Sequence, residues 1–223
     1  MNRPDTHVYQ PPADTGLEII YQCTDLIVLN KPSGLLAVPG RGENKQDSLA
    51  WRVQKRLPQA RVVHRLDMET SGLMLLALNE DMQRAASLMF QNRQIEKSYI
   101  AVVSGLVCDD TGTIDLPLTA DWPNRPLQKV DEARGKPCIT HYRVIARNRH
   151  TQTTRLQLNP QTGRTHQLRL HLQALGHSIL GDRLYGDETA TSATSRLLLH
   201  ANQLSFTHPR TEEMLRITCN PAF

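Results

Sequence analysis

The chain is predicted to adopt an α+β fold with a largely antiparallel sheet. Short apolar runs of strand type follow one another, helical periodicity is confined to isolated stretches, and Gly/Pro-rich punctuation separates them. With 223 residues the chain can bury one core without disulfides or a structural metal, so a single domain over residues 17–223 is expected.

Residues 1–16, "MNRPDTHVYQPPADTG", read as a Pro-rich flexible lead-in. "LEIIYQC" and "LIVLNKP" read as strands around Thr24-Asp25, followed by the loop "KPSGLLAVPGRG". In "DSLAWRVQKRL", Leu49, Ala50, Val53 and Leu57 share a helical face, with Asp47 or Ser48 as cap and Pro58 as stop. "ARVVHRL" and "GLMLLALN" read as buried strands, and Asn79 caps a helix through "EDMQRAASLMFQ". "KSYIAVVSG" is a further strand. Residues 107–135 carry too many prolines to stay regular for long, and strands resume in "ITHYRVIAR" and "TTRLQLNP". "GRTHQLRLHLQALG" reads as a helix with Leu168, Leu172 and Leu175 on one face, ended by Gly176; "RLLLHANQLSF" and "EEMLRITC" close the chain as strands.

Four cysteines lie far apart without metal or disulfide spacing, which fits a reducing cytoplasm. The N-terminus lacks the apolar segment of a signal peptide, and no apolar run approaches bilayer length, so a soluble, cytoplasmic protein without membrane attachment is expected. The net charge of +4 is spread as scattered arginines, which suits phosphate partners and is also ordinary for an enzyme. At 4% aromatic residues, a surface built mainly of stacked bases is disfavoured.

The stretch "HRLDMETSG", His64 to Gly72, sets an acid and an arginine between apolar runs, where an unpaired charge is costly. Asp67 and Glu69 read either as a turn or as a carboxylate pair of glycosidase type. "TGRTHQLRLH" gathers Arg164, His166, Arg169 and His171. The histidines are five apart rather than four, so a metal site is not expected, while Gly163 aims a helix N-terminus at an anion. "PGRGENKQDS" lacks the glycines and lysine of a nucleotide loop, and no Gly-x-Ser-x-Gly elbow occurs. Tyr99 reads as a strand aromatic, and Trp122 as a loop anchor.

Together, "HRLDMETSGL", "KSYIAVVSG", "PQTGRTHQLRLHLQALGHSILGDRLYG" and "RLLLHA" resemble the RluA family of RNA pseudouridine synthases, in order and across Leu17 to Phe223. The His before Arg65-Leu66-Asp67 separates this family from the RsuA type, which usually has Gly there. The resemblance implies the pseudouridine synthase catalytic fold, with a mixed, mostly antiparallel sheet flanked by helices and loops. It implies an isomerase that needs no cofactor or metal. Asp67 would be the catalytic carboxylate, Tyr99 would pack against the base and could help remove the C5 proton, and Arg164 would pair with Asp67. Arg65 would hold the flipped-out conformation, and Leu198 and Leu199 would wall the uracil pocket. His64, Thr70, His166, Gln167 and Arg169 would also contact substrate. "KPSGLLAVPGR" and "DWPNRPLQKV" point to members acting on both a large-subunit ribosomal RNA loop and tRNA anticodon stem-loops. A monomer suffices for this chemistry, and the short lead-in leaves no room for the N-terminal S4 RNA-binding domain of other members.

Overall fold

The computed structural model describes residues 9–223. β1 (Ile19–Gln22) and β2 (Leu26–Lys31) form the expected hairpin, and α1 (Leu49–Gln54) starts at Ser48, whose Oγ accepts the Trp51 N–H. β3 (Arg61–Val62) and β4 (Ser71–Ala77) follow, then α2 (Glu80–Gln91), capped as expected by Asn79. β5 (Glu96–Ser104), β6 (Thr111–Asp115), β7 (Leu118–Ala120), β8 (Gln128–Val130), β9 (Ile139–Asn148) and β10 (Thr153–Pro160) lead to α3 (Gln167–Ala174). α4 (Glu188–Ser192), β11 (Leu199–Thr207) and β12 (Met214–Thr218) complete the described chain. Residues 1–8 of the expected lead-in lie outside the described residues. Its remainder carries no helix or strand, yet Tyr9 Oη donates to the Asp47 carbonyl and Arg52 donates to the carbonyl of Pro12.

Ten strands form one sheet, eight along the path β1-β2-β4-β11-β5-β10-β9-β6 with β12 paired to β11 and β3 to β4 beside it. Every pairing is antiparallel except β4 with β11. That parallel joint has two residue pairs, Ser71 with His200 and Ala201 with Gly72, and it unites two half-sheets. β2 and β4 are covered on both faces, by Leu49, Ala50 and Val53 of α1 on one side and by Met82 and Ala86 of α2 on the other. Hence their sequences are continuous apolar runs rather than alternating ones. In the second half, Leu168 and Leu172 of α3 pack on Ala101, Leu156 and Leu158. Among the described residues no helix is long and apolar enough to cross a membrane.

One rung crosses the joint: Lys31 pairs with Gly72, Gly72 with Ala201, Ala201 with Tyr99, and Tyr99 with Leu158. Gly72 has φ 110°, and a Cβ there would lie 2.3 Å from the Ala201 carbonyl oxygen. Gly72→Ala is expected to lower stability by about 3 kcal/mol, because both the backbone conformation and the strand approach oppose a methyl group. An unchanged urea midpoint would contradict this.

Several expectations change. The strand expected over "ARVVHRL" shrinks to two half-buried residues, because His64 Nε2 accepts the Leu75 N–H at 2.9 Å and takes the donor that the next rung would use. The late helix begins at Gln167 rather than in the Gly163 turn, since His166 sits in the left-handed region at φ 56°. Gly176, φ 86°, ends it as expected. The 107–135 stretch holds β6, β7 and β8; Pro117, Pro123 and Pro126 fall between these strands, where they cost no ladder hydrogen bond. α4 lacks apolar periodicity and is set by the Asp187 cap on the Ala190 N–H.

Candidate active site

The "HRLDMETSG" segment makes a turn closed by the Thr70 N–H on the Asp67 carbonyl. A neighbouring loop holds it. Lys31 Nζ, fully buried, donates to the carbonyls of Pro32 at 2.8 Å, Leu35 at 2.7 Å and Met68 at 2.9 Å. Gly34 N–H also donates to the Met68 carbonyl, and Ser33 Oγ to that of Glu69. All three ammonium protons are therefore used. Burial pushes Lys31 down to about 7, against the pull of the Glu69 and Asp67 carboxylates.

Above this turn lies a cleft of about 100 Å³ at the joint between the half-sheets. Arg65, Asp67 and Thr70 enter from the turn, Lys97 and Tyr99 from β5, and Leu199 from β11. The Thr162–Arg164 turn and His166, Gln167 and Arg169 close the opposite side. His64 and Leu198 are not among the lining residues. The His64 ring, half-buried, stacks on Phe90 at 4.4 Å and serves β4. Leu198 packs into the second core, with its N–H on the Leu180 carbonyl. Glu69 is absent from the lining, so the cleft presents one carboxylate from this turn rather than a pair.

The Asp67 carboxylate accepts no hydrogen bond from the described residues, while its charge reaches Tyr99, His166 and Arg169. Burial first, and Asp67 second, push the Tyr99 hydroxyl well above the ordinary phenol range, so it stays protonated. Arg164 is exposed, and no ion pair joins it to Asp67 among the described residues. Its guanidinium lies beside the Cys138 thiol instead, opposing the upward shift that burial imposes there.

The polar residues of α3 are fixed from behind. Gln167 Oε1 accepts from Thr162 Oγ1 at 2.8 Å and the Arg164 N–H at 3.1 Å, and its Nε2 donates to Ile139 O and Thr140 Oγ1. This shapes the turn that carries Arg164. Arg169 is committed to Asp182, with Nε on Oδ2 at 2.8 Å in a pair that is almost fully buried. Tyr185 Oη accepts the Gln128 N–H and shares a hydrogen bond with His166 Nδ1 at 2.6 Å, which fixes the orientation of the His166 ring. Burial holds Tyr185 up at about 12 and pulls His166 down despite Asp67.

Among the described residues one group has metal-ligating geometry, Cys23, Asp25 and His208, none of which lines the cleft. His208 Nδ1 accepts the N–H groups of Arg210 and Thr211, which places its proton on Nε2, the nitrogen turned to Cys23 and Asp25. A metal ligand needs that lone pair free, so the group does not fit an ion.

Burial within the fold holds His64, His171 and His200 as neutral acceptors or donors below the free imidazole, although the His64 ring is half-buried; His64 falls to about 3. A folded value below the unfolded one gives stability that is complete above about 6.5 and is lost as the pH falls. His64 alone is expected to cost about 2 kcal/mol between pH 6.5 and 5, at ~1.4 kcal/mol per unit. Urea midpoints at pH 7 and pH 5 check this; equal midpoints, or an unaltered slope in His64→Gln, would refute it.

Lys31, Ser33 and Tyr185 lie inside the quoted stretches "KPSGLLAVPGR" and "PQTGRTHQLRLHLQALGHSILGDRLYG", yet sequence reasoning assigns none of them a role. A lysine ending a strand run before Pro-Ser-Gly is the available signal for the first two, and the aromatic in "DRLYG" for the third.

Residues 25–174 match the RNA pseudouridylate synthase family. The chain is 47% identical over 215 residues to a Pasteurella multocida protein named dual-specificity RNA pseudouridine synthase RluA, covering 96% of this chain and 98% of that one. An Escherichia coli K12 protein of the same name is 49% identical over 201 residues, covering 90% and 91%. The structure of human RNA pseudouridylate synthase domain containing 1 superposes with a TM-score of 0.80 at 29% identity, over 96% of this chain and 87% of that one. With the joint of two half-sheets, the cleft and the Asp67 turn in place, the chain belongs to the RNA pseudouridylate synthase family, enzymes that isomerise uridine in RNA.

Proposed function

We propose that the chain converts uridine to pseudouridine in two RNA contexts, a large-subunit ribosomal RNA loop and tRNA anticodon stem-loops. The dual-specificity name carried by relatives at 47% and 49% identity supports two kinds of RNA target rather than one. The observation that carries the chemical reading is the Asp67 carboxylate, unpartnered by the described residues and facing Tyr99 over an apolar wall that includes Leu199. A carboxylate left without protein donors is free for the sugar or base of a flipped nucleotide.

In the net reaction the C1′–N1 bond breaks, a C1′–C5 bond forms, N1 gains a proton and the C5 proton leaves. Asp67 is the catalytic carboxylate. Tyr99 packs on the uracil; its protonated hydroxyl argues for that role over a phenolate base. Arg164, exposed at the cleft mouth, swings to Asp67 or to a phosphate once RNA is bound, and Arg65 holds the vacated stack. His166, Thr70 and Leu199 border the base, whereas Gln167 and Arg169 act through the turn and the Asp182 pair. A single chain is sufficient for this chemistry, and an enzyme acting on ribosomal RNA and tRNA would work in the cytoplasm.

Tritium release from RNA labelled at uridine C5 tests the reading, with a ribosomal hairpin and a tRNA anticodon stem-loop as substrates. Release from both is expected. Release from one would reduce the enzyme to a single-target synthase, and binding of both without release would leave an RNA-binding module.

A further inference from the structure

Lys97 and Pro160 line the cleft and also a second, more open groove of about 340 Å³, whose other walls include Arg93, His141, Asn159 and Gln161. The groove thus begins where the cleft ends, at the entry to β5 and the exit of β10. Glu96 is its one carboxylate, and no ion pair engages Arg93 or Lys97 among the described residues. Among the described residues the Lys97 ammonium has a single acceptor, the Thr162 carbonyl at 3.5 Å, the outer limit of a hydrogen bond. Arg93 follows the end of α2 in the left-handed region at φ 60°, exposed. Burial first, and the like charge of Arg93 second, pull the Lys97 ammonium down. Two neighbouring cations that no carboxylate engages in an ion pair among the described residues, one of them half-buried, cost free energy in the free protein that an anion would recover.

Position identifies the anion. Lys97 and Tyr99 project from the same face of β5, two residues and about 7 Å apart. A uracil packed on Tyr99 carries its own backbone to that side. Resting on the isomerase reading above, we propose that the groove is the path by which the RNA strand leaves the cleft, and that Lys97 and Arg93 together bind a phosphodiester flanking the target uridine. Arg169, committed to Asp182, is not available for this contact.

The test compares wild type with Arg93→Gln, Lys97→Gln and Lys97→Arg on the anticodon stem-loop, measuring affinity across a salt series alongside tritium release. The neutral variants are expected to raise Kd and KM about ten-fold at low salt. They should also flatten the slope of log K against log salt by about 0.7, the value for one single-strand phosphate. Lys97→Arg should keep the wild-type slope. Arg93→Gln alters only an exposed side chain, so it decides the matter even if Lys97→Gln folds poorly. Unaltered slopes in both neutral variants, or losses confined to kcat, would overturn the proposal. A wild type that binds RNA but releases no tritium would sink the isomerase reading, and the slopes would still decide whether the groove holds a phosphate.

Discussion

Asp67→Asn is expected to lose tritium release by about 10⁴-fold or more, with RNA affinity within about three-fold of wild type. The substitution preserves size and removes charge. Because the described residues give the Asp67 carboxylate no hydrogen bond, the amide that replaces it breaks no protein contact and the fold should not suffer. Stability should instead rise by several tenths of a kcal/mol, since an unpartnered carboxylate beside Tyr99 and Leu199 is retained for chemistry at a cost to the fold. Activity and urea midpoint would therefore move in opposite directions. A variant that loses activity together with stability would make Asp67 a structural residue, and one that retains turnover would remove it from the mechanism.

Lys31→Met should give the other large effect, in the opposite pattern. It leaves the carbonyls of Pro32, Leu35 and Met68 without their shared donor in a dry site, a loss of about 3–5 kcal/mol even if part of the strain relaxes. The Met68 carbonyl lies one residue from Asp67, so the turn loses its support and turnover per folded molecule should fall about 100-fold. RNA affinity, set by groups at the cleft mouth, should change much less. Lys31→Arg should not rescue, because a planar fork cannot point three donors at carbonyls arranged around an ammonium. A stable, fully active Lys31→Met would show that the turn is held by Ser33 and Gly34 alone.

What the sequence discloses follows the range of the interactions. Ser48 and Asn79 are legible as caps because the N–H groups they serve are three residues away. The runs "LIVLNK" and "SGLMLLA" are legible as strands because burial on both faces removes polar positions. The Asp67 turn stands out as charge amid apolar residues, and the family motifs give Tyr99 and Arg164. The Lys31 clamp does not stand out, because its meaning depends on Met68, 37 residues on. His64 looks like part of the site through adjacency to Asp67, yet its partner is the Leu75 N–H across β4. Arg169 looks available for phosphate until the fold brings Asp182 against it. The left-handed His166 carries no glycine or asparagine signature, so periodicity alone starts the late helix too early.

The two-rung joint between β4 and β11 also sets the moment at which a newly made molecule becomes active. Ser71 and His200 meet there across 129 residues, among the longest closures in the chain. The β1–β2–β4 unit with α1 is built almost wholly from nearby segments and can collapse while the ribosome is still translating β5, whereas the α2 face waits for Leu204, Phe206, Leu215 and Ile217. At that stage the Asp67 turn already has its Lys31 clamp, but Tyr99 has no neighbour in β11 and Leu199 has not been made. Synthesis must therefore run almost to completion before a nascent chain can bind a flipped uridine, and an unfinished chain has half an active site and no catalysis.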